Sequence, residues 1–210
     1  MHQLLLLRHA KSSWDDASLP DRDRPLNKRG RRAAAAMREA MRDLGLAPDL
    51  VLVSPARRTQ ETLARLEPWD DTPLIEPMEA LYLASARDML AVLHGVNETV
   101  RSVLLIGHNP GMHELAVMLA TPAGGDSGGG DPGATAGRVA GGFPTGALAE
   151  FAIAGPFEIR PADAPIESPS SLVLVSTRPP AFIVKNACGW LAIQFSVQSK
   201  TKSFTRRFSE

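Results

Sequence analysis

Four short apolar runs without polar alternation, Leu4 to Leu7, Leu50 to Val53, Val103 to Ile106 and Leu172 to Val175, constrain this chain more than any other feature. A half-exposed strand alternates apolar and polar residues, so an unbroken run reads as an inner strand of a parallel sheet covered on both faces. Helical stretches lie between the runs. Arg29 to Leu44 is rich in alanine, methionine and arginine and meets its stop at Gly45 and Pro48. Pro55 to Leu66 takes Ser54 as its expected N-cap and Pro55 as its first helical residue, ending before Pro68. Ser85 to Leu93 is capped by Ser85, and Gly111 to Leu119 follows Pro110. Strand and helix in alternation predict an α/β fold, a three-layer α/β/α sandwich with a mostly parallel central sheet. Its ligand site is expected at the carboxyl ends of the strands.

The 210 residues suffice for one core, and 23 basic residues balance 23 acidic ones. No overall field draws the chain to nucleic acid or to an anionic membrane, so any anion site must be local. Cys188 is the only cysteine, which excludes an intrachain disulfide and a zinc cluster built on several thiolates. A reducing compartment fits. The apolar stretch before Arg8 is too short for a signal-peptide core, and no run approaches the roughly 18 apolar residues of a membrane span. A cytoplasmic protein is expected. Residues 121–142 are dominated by glycine with Ala, Thr, Asp and Pro, and read as a mobile insertion. A phosphate cradle is the alternative for that segment, but its glycine spacing matches neither a P-loop nor a dinucleotide fingerprint. Residues 1–180 are expected to form a single domain. The apolar patch Ala181 to Phe195 with Lys200, Lys202, Arg206 and Arg207 reads as a loosely attached tail, a basic docking element being the alternative.

Three of the strand ends carry residues suited to an anion. Arg8-His9-Ala10 follows the first run, Ser54-Pro55-Ala56-Arg57-Arg58-Thr59-Gln60-Glu61-Thr62 follows the second, and Gly107-His108-Asn109-Pro110-Gly111 follows the third. Arg8-His9 or His108 alone would read as structural, and the Ser54 to Thr62 segment alone would leave a solvated helix start and an anion site equally open. In a parallel sheet these ends converge on one crevice. The helix start after Ser54 adds free N–H groups and the positive end of a helix dipole. Two arginines and two histidines without an acidic metal-ligand cluster suit phosphoryl transfer through a covalent intermediate. Guanidinium forks match phosphate oxygens, and a neutral imidazole can attack phosphorus. A second histidine, protonated, would stabilise the redistributing negative charge.

These residues resemble the histidine phosphatase superfamily, and within it the SixA-type phosphohistidine phosphatase branch. The likeness rests on Leu7-Arg8-His9-Ala10-Lys11-Ser12-Ser13-Trp14, Asp23-Arg24-Pro25-Leu26-Asn27-Lys28-Arg29-Gly30, the Ser54 to Thr62 segment, Leu81-Tyr82 and Gly107 to Gly111, in that order. Phe143 to Ala147 resembles the branch's approach to another core strand, and Leu172 to Pro179 its final one. The resemblance implies a phosphoglycerate mutase-like fold and a metal-independent hydrolase that needs no cofactor. It makes His9 the phosphorylated nucleophile, Arg8 and Arg58 phosphate ligands, and His108 the second pocket histidine. Arg58 is preferred to Arg57 because the family's arginine stands three positions after the proline. Arg24 resembles the branch's extra phosphate-directed base, a structural salt bridge being the alternative. Lys11, Ser12 and Ser13 follow His9 closely enough to reach a ligand.

The resemblance breaks at two places. Many superfamily members carry a glutamate general acid shortly before the second histidine, whereas Leu81-Tyr82-Leu83-Ala84 offers no carboxylate and Glu79 is the nearest. The chain also continues past the branch's usual end, from Ala181 to Glu210. Without an acid, a phosphoramidate or aryl phosphate is favoured over an alkyl monoester. The expected partner is a phosphorylated protein, with phosphohistidine as the target, or a small phosphorylated substrate. A mutase or small-metabolite phosphatase and a non-catalytic phosphate-binding module are the alternatives.

Overall fold

The computed structural model describes residues 2–120, 141–153, 182–186 and 189–193. The apolar run ahead of Arg8 forms β1 (His2–Arg8), and α1 (Lys28–Asp43), β2 (Leu50–Val53), α2 (Arg57–Leu63) and β3 (Leu74–Pro77) follow. Then come α3 (Ala86–His94), β4 (Ser102–Gly107), α4 (Gly111–Ala120) and β5 (Leu148–Ile153). The sheet runs in the order β3-β2-β4-β1-β5. Its first four strands are parallel, and β5 lies antiparallel to β1. This is the expected α/β fold with a mostly parallel sheet.

Both faces of the inner strands are buried, which explains the missing alternation. Leu4, Leu6, Leu52, Val103 and Leu105 pack with Met89 and Leu93 of α3 and Met112 and Leu115 of α4. On the other face Leu5, Leu7, Val51, Val53 and Ile106 pack with Met37 and Met41 of α1 and Leu63 of α2. Strand register brings the carboxyl ends together, since Arg8 pairs with Gly107 and Val53 with Ile106. Backbone hydrogen bonds from His9 N to Gly107 O (3.1 Å) and from Ser54 N to Ile106 O (3.1 Å) extend this pairing by one residue.

Ser54 does not cap α2. The N-cap is Ala56, in extended conformation and without a side-chain capping bond, so the helix is shorter at both ends than the sequence suggests. The Ser54 hydroxyl is instead turned inward to His108, and its carbonyl accepts from Thr59 Oγ1 (2.7 Å) and Gln60 Nε2 (2.9 Å). Ser85 caps α3 as expected, in a capping box with Asp88. β3 was missed at the sequence level because it is a largely exposed four-residue strand ending in proline.

The run Leu172 to Val175 and nearly all of the glycine-rich segment lie outside the described residues. Part of the expected loose tail does join the sheet: β6 (Phe182–Asn186) pairs antiparallel with β5, and β7 (Gly189–Ile193) with β6. Phe-Ile-Val and Trp-Leu-Ala-Ile in these strands are β-favouring sequences. No described helix is long and apolar enough to cross a membrane.

Candidate active site

His9 follows directly on β1, 7% exposed. Its Nδ1 lies 2.8 Å from the Ala10 carbonyl, an acceptor only, so Nδ1 carries the proton and the Nε2 lone pair is left free. The backbone around it is held from the β5 side. Gly146 N donates to the carbonyls of Arg8 and His9, and Arg8 N donates to Ala147 O. Gly146 adopts φ +77°, a conformation that favours glycine. Arg8 directs Nη1 to Phe143 O (2.7 Å).

His108, at the end of β4, is 1% exposed, and its ring centroid is 5.2 Å from that of His9. His108 Nε2 lies 2.7 Å from Ser54 Oγ, which also accepts weakly from Ala56 N (3.4 Å). The tautomer in which the hydroxyl donates to Nε2 places the His108 proton on Nδ1, where it can reach an anion. That Nδ1, like Arg8 Nε, is buried without a hydrogen-bond partner among the described residues. In that tautomer two buried donors remain for an anion.

Burial lowers the His9 pKa to about 4, the Ala10 hydrogen bond opposing and the charges of Arg58, Arg8 and Arg24 assisting. Burial, His9 and Arg58 likewise lower His108 to about 3. Both imidazoles are neutral at pH 7. The expectation of a protonated second histidine is therefore corrected: burial and the charges of His9, Arg58 and Arg8 outweigh the opposing charge of the Asp21 carboxylate, and His108 acts as a neutral imidazole.

Arg58 and Arg24 are buried and share one carboxylate. Arg58 Nη1 donates to the Asp21 carbonyl (2.5 Å) and Nη2 to Asp21 Oδ2 (2.9 Å). Arg24 donates to Asp21 Oδ1 (2.8 Å), Ser12 Oγ (2.8 Å) and the Ser13 carbonyl (3.1 Å), and its guanidinium stacks 3.1 Å from the centroid of Trp14. Ser12 and Ser13 thus position Arg24. Arg57 is exposed and paired with Glu61, Lys11 is exposed, and Glu79 pairs with Arg22 at the surface.

Asp21 was not singled out at the sequence level, and Tyr82 only as part of the Leu81-Tyr82 motif, without a role. Tyr82 donates its hydroxyl proton to Asp21 Oδ2 (3.0 Å) and meets the His108 ring edge-on at 5.7 Å. The one available signal for Asp21 was its place three residues before Arg24. Among the described residues no group of three or more His, Cys, Asp or Glu side chains could hold a metal ion.

Comparison with known proteins gives consistent matches. A family model described as the histidine phosphatase superfamily (branch 1) matches residues 4–81. An uncharacterized chloroplastic protein of Arabidopsis thaliana is 38% identical over 128 residues, covering 56% of this chain. The match spans 59% of that plant protein's length. An uncharacterized Mycobacterium tuberculosis protein is 36% identical over 149 residues, 71% of this chain and 88% of that one. Among solved structures, a putative phosphohistidine phosphatase SixA from Agrobacterium tumefaciens superposes with TM-score 0.60 and 30% identity, covering 71% of this chain and 90% of the other. The protein histidine phosphatase SixA complexed with tungstate gives TM-score 0.57 and 26% identity, with coverages of 72% and 88%.

Proposed function

The chain belongs to the histidine phosphatase superfamily, in its SixA-type branch, and from that premise we propose that it hydrolyses a phosphohistidine or a related phosphate with a good leaving group. The observation that carries the reading is the His9 imidazole. It is neutral, fixed by its bond to Ala10 and left with a free Nε2 lone pair beside buried arginines.

In the proposed reaction, Arg8, Arg58 and the Nδ1–H of His108 hold the phosphoryl oxygens, with Arg24 as a further cation. His9 Nε2 attacks phosphorus, forming a P–N bond while the bond to the leaving atom breaks and its electron pair departs with that group. Water then attacks the phosphoryl group on His9, releasing orthophosphate and restoring the imidazole. The donors are fixed before the reaction, so they stabilise developing charge without reorganising. Glu79 is turned to Arg22, and Asp21 is held ionised by its hydrogen bonds, so neither supplies a proton to the leaving group. That favours imidazole over an alkoxide as leaving group. Metal independence and a cytoplasmic location, supported by the lone cysteine, belong to the same proposal.

The test is phosphate release from a phosphohistidine peptide, para-nitrophenyl phosphate and 3-phosphoglycerate, with and without EDTA. Hydrolysis of the first two, undiminished by EDTA, is the expected result. Strict dependence on added metal, or turnover of 3-phosphoglycerate alone, would overturn the proposal.

A further inference from the structure

Exposure grades the site from floor to mouth. The side chains of Arg58 and Arg24 are 4% and 8% exposed, whereas that of Asp21, bonded to both, is 45% exposed. Tyr82, half-buried, leans on the same carboxylate. Asp21 is therefore the solvent-facing member of this ion cluster. Burial opposes ionisation of this carboxyl, but hydrogen bonds from Arg24 and Tyr82 and the charge of Arg58 outweigh it and keep the pKa below the ordinary value.

We propose that Asp21 is a specificity-determining residue, whose fixed negative charge at the mouth fits the pocket to a lone phosphoryl dianion and disfavours substrates with a second anionic group next to it. This inference rests on the phosphatase reading of the site. Arg8, Arg24 and Arg58 bring three positive charges, the two histidines are neutral at pH 7, and Asp21 removes one. The remaining two match a phosphoryl dianion. The surface pairs Arg22 with Glu79 and Arg57 with Glu61 each sum to zero, and the exposed Lys11 and Asp23 carry opposite charges, so that balance is unchanged.

A positioning role alone makes a different forecast. Arg58 is also anchored by the Asp21 backbone carbonyl, and Arg24 by Ser12 and Ser13, so both arginines retain ties when the carboxylate is neutralised. If Asp21 only oriented the arginines, its loss would weaken every anion alike. If it sets the charge, its loss would favour the more highly charged anion.

Calorimetric titration of inorganic phosphate and pyrophosphate into wild type, Asp21→Asn, Asp21→Ser and Tyr82→Phe separates the two. We expect the ratio of pyrophosphate to phosphate affinity to rise at least tenfold in both Asp21 variants. It should stay within twofold of wild type in Tyr82→Phe, which removes a hydrogen bond and keeps the charge. An unchanged or lower ratio in whichever Asp21 variants fold would overturn the inference. Hydrolysis of para-nitrophenyl phosphate by the wild type, followed in parallel, reports on the phosphatase reading separately. An altered ratio without hydrolysis would sink that reading, and hydrolysis with an unaltered ratio would sink only the role of Asp21.

Discussion

His9 is kept reactive by a hydrogen bond to its own neighbour. The Ala10 carbonyl takes the Nδ1 proton, and burial together with three guanidiniums keeps the other nitrogen unprotonated well below neutral pH. The two histidines of the site have different duties, and substitution should separate them. His9→Ala is expected to lower kcat by about 10⁴-fold or more, because no other group can form the intermediate. His108→Ala should lower kcat by about 10²–10³-fold, the usual cost of one fixed donor to developing negative charge. Rapid-quench trapping with labelled substrate checks the assignment: acid-labile phosphate should still form, slowly, in the His108 variant and not at all in the His9 variant. Label on the protein in His9→Ala would remove that residue from the role.

At the scale of elements, the site depends on how closely α1 approaches the turn after His9. A Cβ on Gly30 would lie 2.1 Å from the Lys11 carbonyl oxygen, a backbone atom that also accepts from Asn27 N. Gly30→Ala must therefore displace the turn two residues beyond His9. We expect a loss of about 1–3 kcal/mol in denaturant unfolding together with reduced kcat. An unchanged midpoint would show that α1 shifts freely. What the sequence made legible follows from the same packing. The runs forming β1, β2 and β4 were visible because burial on both faces erases alternation, and their ends located His9, Arg58 and His108. Ser54 was misread because Ser-Pro suits an N-cap equally well, and only the three-dimensional approach of His108 claims its hydroxyl. Asp21 was invisible for a related reason: its partners Arg58 and Tyr82 are 37 and 61 residues away, on separate elements.

At the scale of the whole molecule, the buried histidines connect the site to acid stability. Both bind a proton more weakly in the folded protein, at about 4 and about 3, than an unfolded chain does at about 6.5. Stability from this source is complete above pH 6.5 and falls as the pH drops, at about 1.4 kcal/mol per pH unit for each histidine. The loss ends only where the folded imidazoles themselves protonate, near pH 4 and pH 3. Urea midpoints measured between pH 7 and 4.5 should therefore decline, and the His108→Asn protein should show about half the slope of wild type over that window. Equal slopes would mean that the His108 shift is absent. The pairing of Arg8 with Gly107 has a wider consequence. Two segments a hundred residues apart in the chain become adjacent only when the sheet is assembled, so neither half contains a weaker version of the site. Catalytic competence is in this sense an all-or-none readout of the native state: fragments, and intermediates lacking β4, would carry His9 as an ordinary surface imidazole.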